Sequence, residues 1–161
     1  MNDLFKGDCM SNEIEKKYLV ISNNWKAESS HTIIQGYLNK DKNRVVRIRI
    51  FDDTAFITIK GISIGIERAE YEYEIPLNDG YELLKLCYIP ILEKKRSIVL
   101  FDNKKWEVDE FKGDNDGLVV AEIELERIDE DYALPPWIGK EVSNNPRYFN
   151  SNLIDLPFKN W

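Results

Sequence analysis

Charged side chains recur at every second position through much of this chain, and like signs keep together. Glu13, Glu15 and Lys17 alternate in EIEKKYLV, Arg47 and Arg49 in RVVRIRIF, and Glu70, Glu72 and Glu74 in ERAEYEYEIP. Lys60 ends TAFITIK two residues after Thr58; then come Lys94 with Arg96, Glu107 with Asp109, and Glu122 with Glu124. On an extended strand a spacing of two places such residues on one face. Clustered carboxylates ask for a divalent cation that prefers oxygen, Mg²⁺ or Mn²⁺. Clustered Arg and Lys ask for phosphate or carboxylate, and Arg can grip two oxygens with its planar fork.

The plain alternative is a sheet with one wet face and one core face. A wet face, however, usually mixes Thr, Ser, Gln and Lys, and opposite charges across strands stabilise it. Here each strand tends to one sign. Like charges this close gain nothing from one another unless something of opposite sign sits between them.

The elements that must carry these residues are mostly strands. Periodicity predicts strands at 13–20, 34–39, 44–51, 54–60, 67–76, 94–101, 104–111 and 118–126. Asp52-Asp53, Asp102-Asn103 and GDNDG at 113–117 supply turns between them. A helix fits 78–88 with Asn78 as its N-cap, and short helical pieces are expected near 24–31 and within 135–155. Short strands joined by hairpins suggest an antiparallel barrel or sandwich. A barrel with its polar face turned inward reconciles the pattern, since interior and exterior positions alternate and eight strands leave room for one small ligand. The fold class expected is therefore mainly β (α+β): a closed eight-stranded antiparallel tunnel with a polar lumen and a few covering helices. Trp25, Trp106, Trp137 and Trp161 suit the outer packing layer.

Composition narrows the field. With 161 residues, 43% hydrophobic and 32% charged, the chain fits one well-cored domain. Its formal charge of −7 disfavours general binding to nucleic acid or an anionic membrane. Two cysteines, Cys9 and Cys87, and one histidine, His31, cannot build a disulfide framework, a Cys/His zinc site or a histidine-based triad. His31 is expected to be a surface or capping residue. No apolar run approaches a membrane span, and MNDLFKGDCM lacks a signal-peptide apolar core, so a cytoplasmic protein is expected. Residues 1–11 are expected to be a flexible extension, with 12–161 as the single domain.

Glu13-x-Glu15-x-Lys17 resembles the signature of the CYTH superfamily, the triphosphate tunnel metalloenzymes. QGYL at 35–38, RIR at 47–49, TIK at 58–60, RAEYEYEIPL at 68–77 and KKR at 94–96 continue the match in register. WEVDEF at 106–111, AEIELE at 121–126 and NPRYFNSNL at 145–153 complete it, so the resemblance to short bacterial members spans roughly 13–157. It implies a barrel whose lumen is the active site, acting on a small-molecule triphosphate, most often inorganic triphosphate. Carried over by position, Lys17, Arg47, Arg49, Lys60, Lys94 and Arg96 would bind phosphate oxygens. Glu13, Glu15, Glu70, Glu72, Asp109, Glu122 and Glu124 would hold one or two Mg²⁺ or Mn²⁺ ions. The proton acceptor is open between a carboxylate of that set, such as Glu122 or Glu124, and Lys94. Arg147 and Tyr148 resemble a C-terminal motif that closes one tunnel mouth. Some family members form dimers, so a homodimer belongs to the expectation. The rivals are an adenylyl cyclase or a nucleoside or thiamine triphosphatase on the same scaffold, a non-catalytic triphosphate- or polyphosphate-binding module, and a plain β domain.

Overall fold

The structure, a computed structural model, describes the backbone of residues 11–64 and 67–161, and the side chains of all of these except 11–13, 63 and 67. The expected extension, apart from Ser11, therefore lies outside the described residues. Among the described residues nine strands are formed: β1 (Ser11–Val20), β2 (Ser29–Asn39), β3 (Val45–Phe51), β4 (Thr54–Ile64), β5 (Glu67–Ile75), β6 (Leu92–Phe101), β7 (Lys104–Phe111), β8 (Val119–Leu125) and β9 (Ile138–Glu141). Helix α1 (Leu77–Leu84) follows β5, and the short α2 (Asn152–Asp155) lies near the C-terminus.

All pairings are antiparallel, in the order β5-β4-β3-β2-β6-β7-β8-β1-β9. The sheet curls round until β1 also meets β5, over the four rungs from Ser11↔Glu70 to Ile14↔Glu67. Farther along β1, β9 pairs at Tyr18 and Val20. The first eight strands thus enclose a tunnel whose β1–β5 seam is zipped at one end only. The hairpin turns carry the predicted chemistry. Asp102 (φ 48°) and Asn103 (φ 61°) are both left-handed between β6 and β7, matching the twist of a two-residue hairpin. Asp52 (φ 50°) takes the same conformation after β3.

The apolar side of the alternation faces out and is covered. On one flank Trp106, Val108, Ala121 and Ile123 are sealed by Trp137, Trp25 and Tyr132, with Trp106 and Trp137 meeting edge to face at 5.9 Å. On another, Ile48, Ile50 and Ala55 are covered by α1 through Leu84 and by Cys87. The α1 approach is close enough that a Cβ on Gly80 would lie 2.5 Å from the Ala55 Cβ. Gly36 likewise leaves room for Cys87, 2.7 Å from where its own Cβ would stand.

Local expectations change in three places. The helix spans Leu77–Leu84 rather than 78–88, and Pro76, with φ −53°, stands at its N-cap in place of Asn78. The piece expected near 24–31 is not helical: pairing with β6 captures the backbone there, through Glu28 N to Ile98 O at 2.8 Å and Ser29 opposite Ile98. Within 135–155, Ile138–Glu141 is strand, while Pro146–Tyr148 forms a 3-10 turn and Asn152–Asp155 a helix. His31 caps the β3–β4 turn, its Nδ1 2.7 Å from Asp52 Oδ2, as a surface role requires.

Candidate active site

The charged side of the alternation faces the tunnel, and it lines a cavity of about 360 Å³. Glu15, Lys17, Arg47, Arg49, Lys60, Glu70, Glu72, Arg96, Glu122 and Glu124 all reach its wall. Glu13 lies on the same face of β1, paired with Arg68 through the backbone; its side chain is outside the described residues. Lys94 and Asp109 are brought close to this group but do not line the cavity. They are 1% and 0% exposed, and they pair with each other beneath it.

One wall, made by β6, β7, β8 and β1, is a continuous ion-pair network. Arg96 donates Nε and Nη2 to the two oxygens of Asp109, both at 2.7 Å, and Nη2 also to Glu122 at 2.9 Å. It further contacts Glu107 through Nη1. Lys17 Nζ stands 2.9 Å from Glu122 Oε1 and donates to the Tyr148 carbonyl at 3.3 Å. Burial alone would raise both carboxyls, yet Lys94 and Arg96 hold Asp109 below its ordinary value, and Lys17 and Arg96 hold Glu122 well below. Burial also works against Lys17 and Arg96, but Glu122 and Glu15 keep Lys17 above the usual lysine value, and Asp109 with Glu122 keeps Arg96 charged. Burial draws the Lys94 ammonium down to about 8, with Asp109 pulling the other way.

The other wall, made by β3, β4 and β5, is less complete. Thr58 Oγ1 donates to Glu72 Oε2 at 2.7 Å, and Arg47 Nη2 reaches the same oxygen at 3.2 Å. That hydroxyl bond, with Arg49 and Arg47, lowers the Glu72 carboxyl although burial opposes it. Lys60 lies 2.5 Å from Glu70. Arg49 comes no nearer than 4.0 Å to Glu72. Burial, then the like charges of Arg47 and Arg96, pull its guanidinium down to about 10. The Nε atoms of both Arg47 and Arg49 are buried with no hydrogen-bond partner among the described residues. Buried donors of this kind are rare and costly, and an anion in the cavity would satisfy them.

Carboxylates that could hold a cation gather on the β1–β8 edge. Glu15 and Glu124 face each other across a rung, and Lys17 and Glu122 occupy the rung two residues on. Like charges directly opposed are unfavourable, and Glu124 pairs with no cation among the described residues. Among the described residues no three Asp, Glu, His or Cys side chains form a ready-made metal cage. Mg²⁺ needs none, since one or two carboxylates with substrate phosphates and water suffice. The oxygen donors at Glu15, Glu122 and Glu124 fit such an ion. Glu122 reaches the cavity although Lys17 and Arg96 each hold one of its oxygens, whereas Asp109 fits less well, sealed below the wall with Arg96 on both oxygens and Lys94 on one.

Several wall residues stand outside the predicted set: Tyr37, Arg68, Lys105, Glu107, Ser143, Asn144 and Asn150. Arg68 and Glu107 share the alternation of Glu70 and Asp109, which is the signal that could have placed them. Tyr37 and the 143–151 segment carry no such charge signature. In PRYFN it is the Tyr148 backbone that reaches the lumen, while the Arg147 side chain stacks 4.8 Å from the Trp161 ring.

Fold and site together define an antiparallel tunnel barrel with a charged lumen, open to a small anion with accompanying cations. The sequence profile of the CYTH domain matches residues 11–154, and the chain belongs to that family. It is 47% identical over 154 residues to an inorganic triphosphatase of Acetivibrio thermocellus, covering 94% of this chain and 99% of that protein. An inorganic triphosphatase of Nitrosomonas europaea is 32% identical over 150 residues, covering 90% and 99%. The crystal structure of the inorganic triphosphatase NE1496 superposes with a TM-score of 0.67 at 30% identity, covering 90% of this chain and 95% of that one. The PH1012 protein of Pyrococcus horikoshii, at 20% identity and a TM-score of 0.56, shares the fold.

Proposed function

We propose that this protein is a metal-dependent triphosphatase that hydrolyses a terminal phosphoanhydride bond of inorganic triphosphate. The observation that carries the reading is Arg49, buried beside Arg47 with, among the described residues, no carboxylate closer than 4.0 Å and no partner for its Nε. A cation so poorly compensated calls for a multiply charged anion, and the related inorganic triphosphatases act on one.

In this reading Arg47, Arg49 and Lys60 bind phosphoryl oxygens from one wall, and Lys17 and Arg96 from the other. Carboxylates hold the second pair in place before substrate arrives, which favours positioning and charge stabilisation over covalent chemistry. Glu15, Glu122 and Glu124, with Glu13 on the same face, would hold Mg²⁺ or Mn²⁺. Glu70 and Glu72 serve mainly to orient Lys60 and Arg47. The bound ion supplies charge neutralisation on the phosphoryl oxygens. Glu124, with no cation of its own among the described residues, is the acceptor for the proton of the attacking water. Lys94 acts instead as a sealed support that keeps Asp109 and Arg96 oriented. The substrate is a free small molecule and the setting cytoplasmic; no helix among the described residues is long and apolar enough to cross a membrane.

The test is phosphate release from inorganic triphosphate, pyrophosphate, ATP and thiamine triphosphate, each with Mg²⁺, with Mn²⁺ and with chelator. Metal-dependent turnover highest on inorganic triphosphate is expected. Cyclic AMP from ATP would replace this reading with a cyclase, and binding without turnover would replace it with a sensor.

A further inference from the structure

The strap from Val142 to Asp155 runs over the cavity and is anchored on both sides of it. Toward β1, Val142 N donates to Lys17 O at 2.8 Å, Lys17 N to Ser143 Oγ at 3.0 Å, and Lys17 Nζ to Tyr148 O at 3.3 Å. Toward β2 and β3, Ile154 is buried against Tyr37 and Val45. Between these anchors Phe149, Asn150 and Ser151 line the cavity.

Asn150 Oδ1 is sealed from solvent and accepts no hydrogen bond among the described residues. A buried oxygen left without a donor is costly. This orphan is of the opposite kind to the Nε atoms of Arg47 and Arg49, which lack an acceptor. A phosphoryl oxygen answers those two. It cannot answer Asn150, because an ionised phosphate brings only acceptors and its charge repels the amide oxygen. The partner of Asn150 must carry hydrogen or positive charge.

The carboxylate edge is close to the strap. The Lys17 ammonium that reaches Tyr148 O also stands 2.9 Å from Glu122 Oε1, and Glu124 lies two residues farther along the same face. A Mg²⁺ ion held there keeps several of its waters, since it dehydrates reluctantly. Other polar groups of the strap are less suited: Ser143 Oγ gives its proton to Glu141 at 2.8 Å, and Asn144 is exposed.

We propose that Asn150 accepts a hydrogen bond from a water on the bound Mg²⁺ or Mn²⁺, and is thus a positioning residue for the ion. The inference rests on the metal-dependent reading above.

The experiment is a Mn²⁺ titration without substrate, read from the paramagnetic resonance signal of free Mn²⁺, on wild type, Asn150→Leu and Asn150→Asp. A thermal melt of each without metal and the Mg²⁺ dependence of inorganic triphosphate hydrolysis accompany it. Asn150→Leu keeps the approximate shape and removes the acceptor. Its Kd for Mn²⁺ is expected to rise roughly ten- to a hundredfold, the cost of losing an outer partner of a metal. Asn150→Asp keeps the oxygen and adds charge that suits a cation, so its Kd stays at or below the wild-type value. An unchanged Kd in Asn150→Leu would overturn the inference. A loss in Asn150→Asp as large as in Asn150→Leu would also overturn it, since the amide would then be a donor to phosphate. If Asn150→Leu melts early, Asn150→Asp decides alone. If Mn²⁺ binds only with substrate, the Mg²⁺ concentration for half-maximal turnover decides by the same ordering. Wild-type turnover that survives chelator would bring down the metal-dependent reading and this inference with it. Metal-dependent turnover with equal metal affinity in all three proteins would bring down this inference alone.

Discussion

The two walls of the tunnel hold the same kinds of residue in opposite conditions. On the β6–β7–β8–β1 side, Arg96 contacts Asp109, Glu107 and Glu122, and Lys17 contacts Glu122, so each buried charge is answered within the protein. On the β3–β4–β5 side, the Nε atoms of Arg47 and Arg49 have no partner among the described residues, and burial leaves Arg49 easier to deprotonate than an ordinary arginine. The first wall answers its buried charges as folded and leaves Glu124, among the described residues, for a cation; in the proposed reading the second wall is completed by the anion that binds. Burying charge is tolerable where geometry repays the desolvation, and a site for a polyanion needs one place where the protein leaves that repayment to the ligand.

The comparison makes opposite predictions for the two walls. Asp109→Asn strips the charge that holds Lys94 and Arg96, and should cost about 3–5 kcal/mol in chemical denaturation, as removing one partner of a buried pair does. The same variant should show a shallower loss of stability in acid. Glu72, Asp109 and Glu122 all have lowered pKa values in the folded protein. Their stabilisation is therefore complete above the ordinary carboxylate range and disappears as pH falls through the depressed values. Arg49→Met should do the reverse: kcat/KM on inorganic triphosphate drops about a hundredfold or more, comparable to losing a charge-stabilising donor, while the melting temperature holds or rises. Equal destabilisation by both substitutions would erase the distinction between the walls.

Smaller effects sharpen it. Inorganic triphosphate at a hundred times its Kd should stabilise wild type by about 2.7 kcal/mol, read as a rise in melting temperature that Arg49→Met largely loses. Outside the barrel, Lys40 and Asp155 pair at 2.6 Å in a more exposed setting. Lys40→Ala should change stability by less than about 1 kcal/mol and leave turnover unchanged.

Much of this division can be read from the chain, but not all. Alternation at Glu13, Glu15, Lys17, Arg47 and Arg49 fixes which face turns inward once the exterior has Trp106, Ile48 and Ile123 to bury. The eight principal strands follow from the same period. The condition of each charge is another matter, because it depends on which strands become neighbours. Lys94 and Arg96 look equivalent in KKR, yet the register sets Arg96 opposite Asp109 at the cavity wall and Lys94 opposite Phe111, sealed below it. Tyr37 and Asn150 carry no charge pattern to mark them. β9 is too short for periodicity to find, and its place is set by the open edge of β1.

The central claim is that the lumen is a metal-dependent hydrolytic site. The most direct test is Glu124→Gln, because Glu124 is exposed at the cavity and supports no ion pair among the described residues. Inorganic triphosphate hydrolysis should be followed across a Mg²⁺ titration beside a thermal melt. A loss of at least about a hundredfold in turnover with an unchanged melting curve is the predicted result, and wild-type turnover at every Mg²⁺ concentration would contradict it.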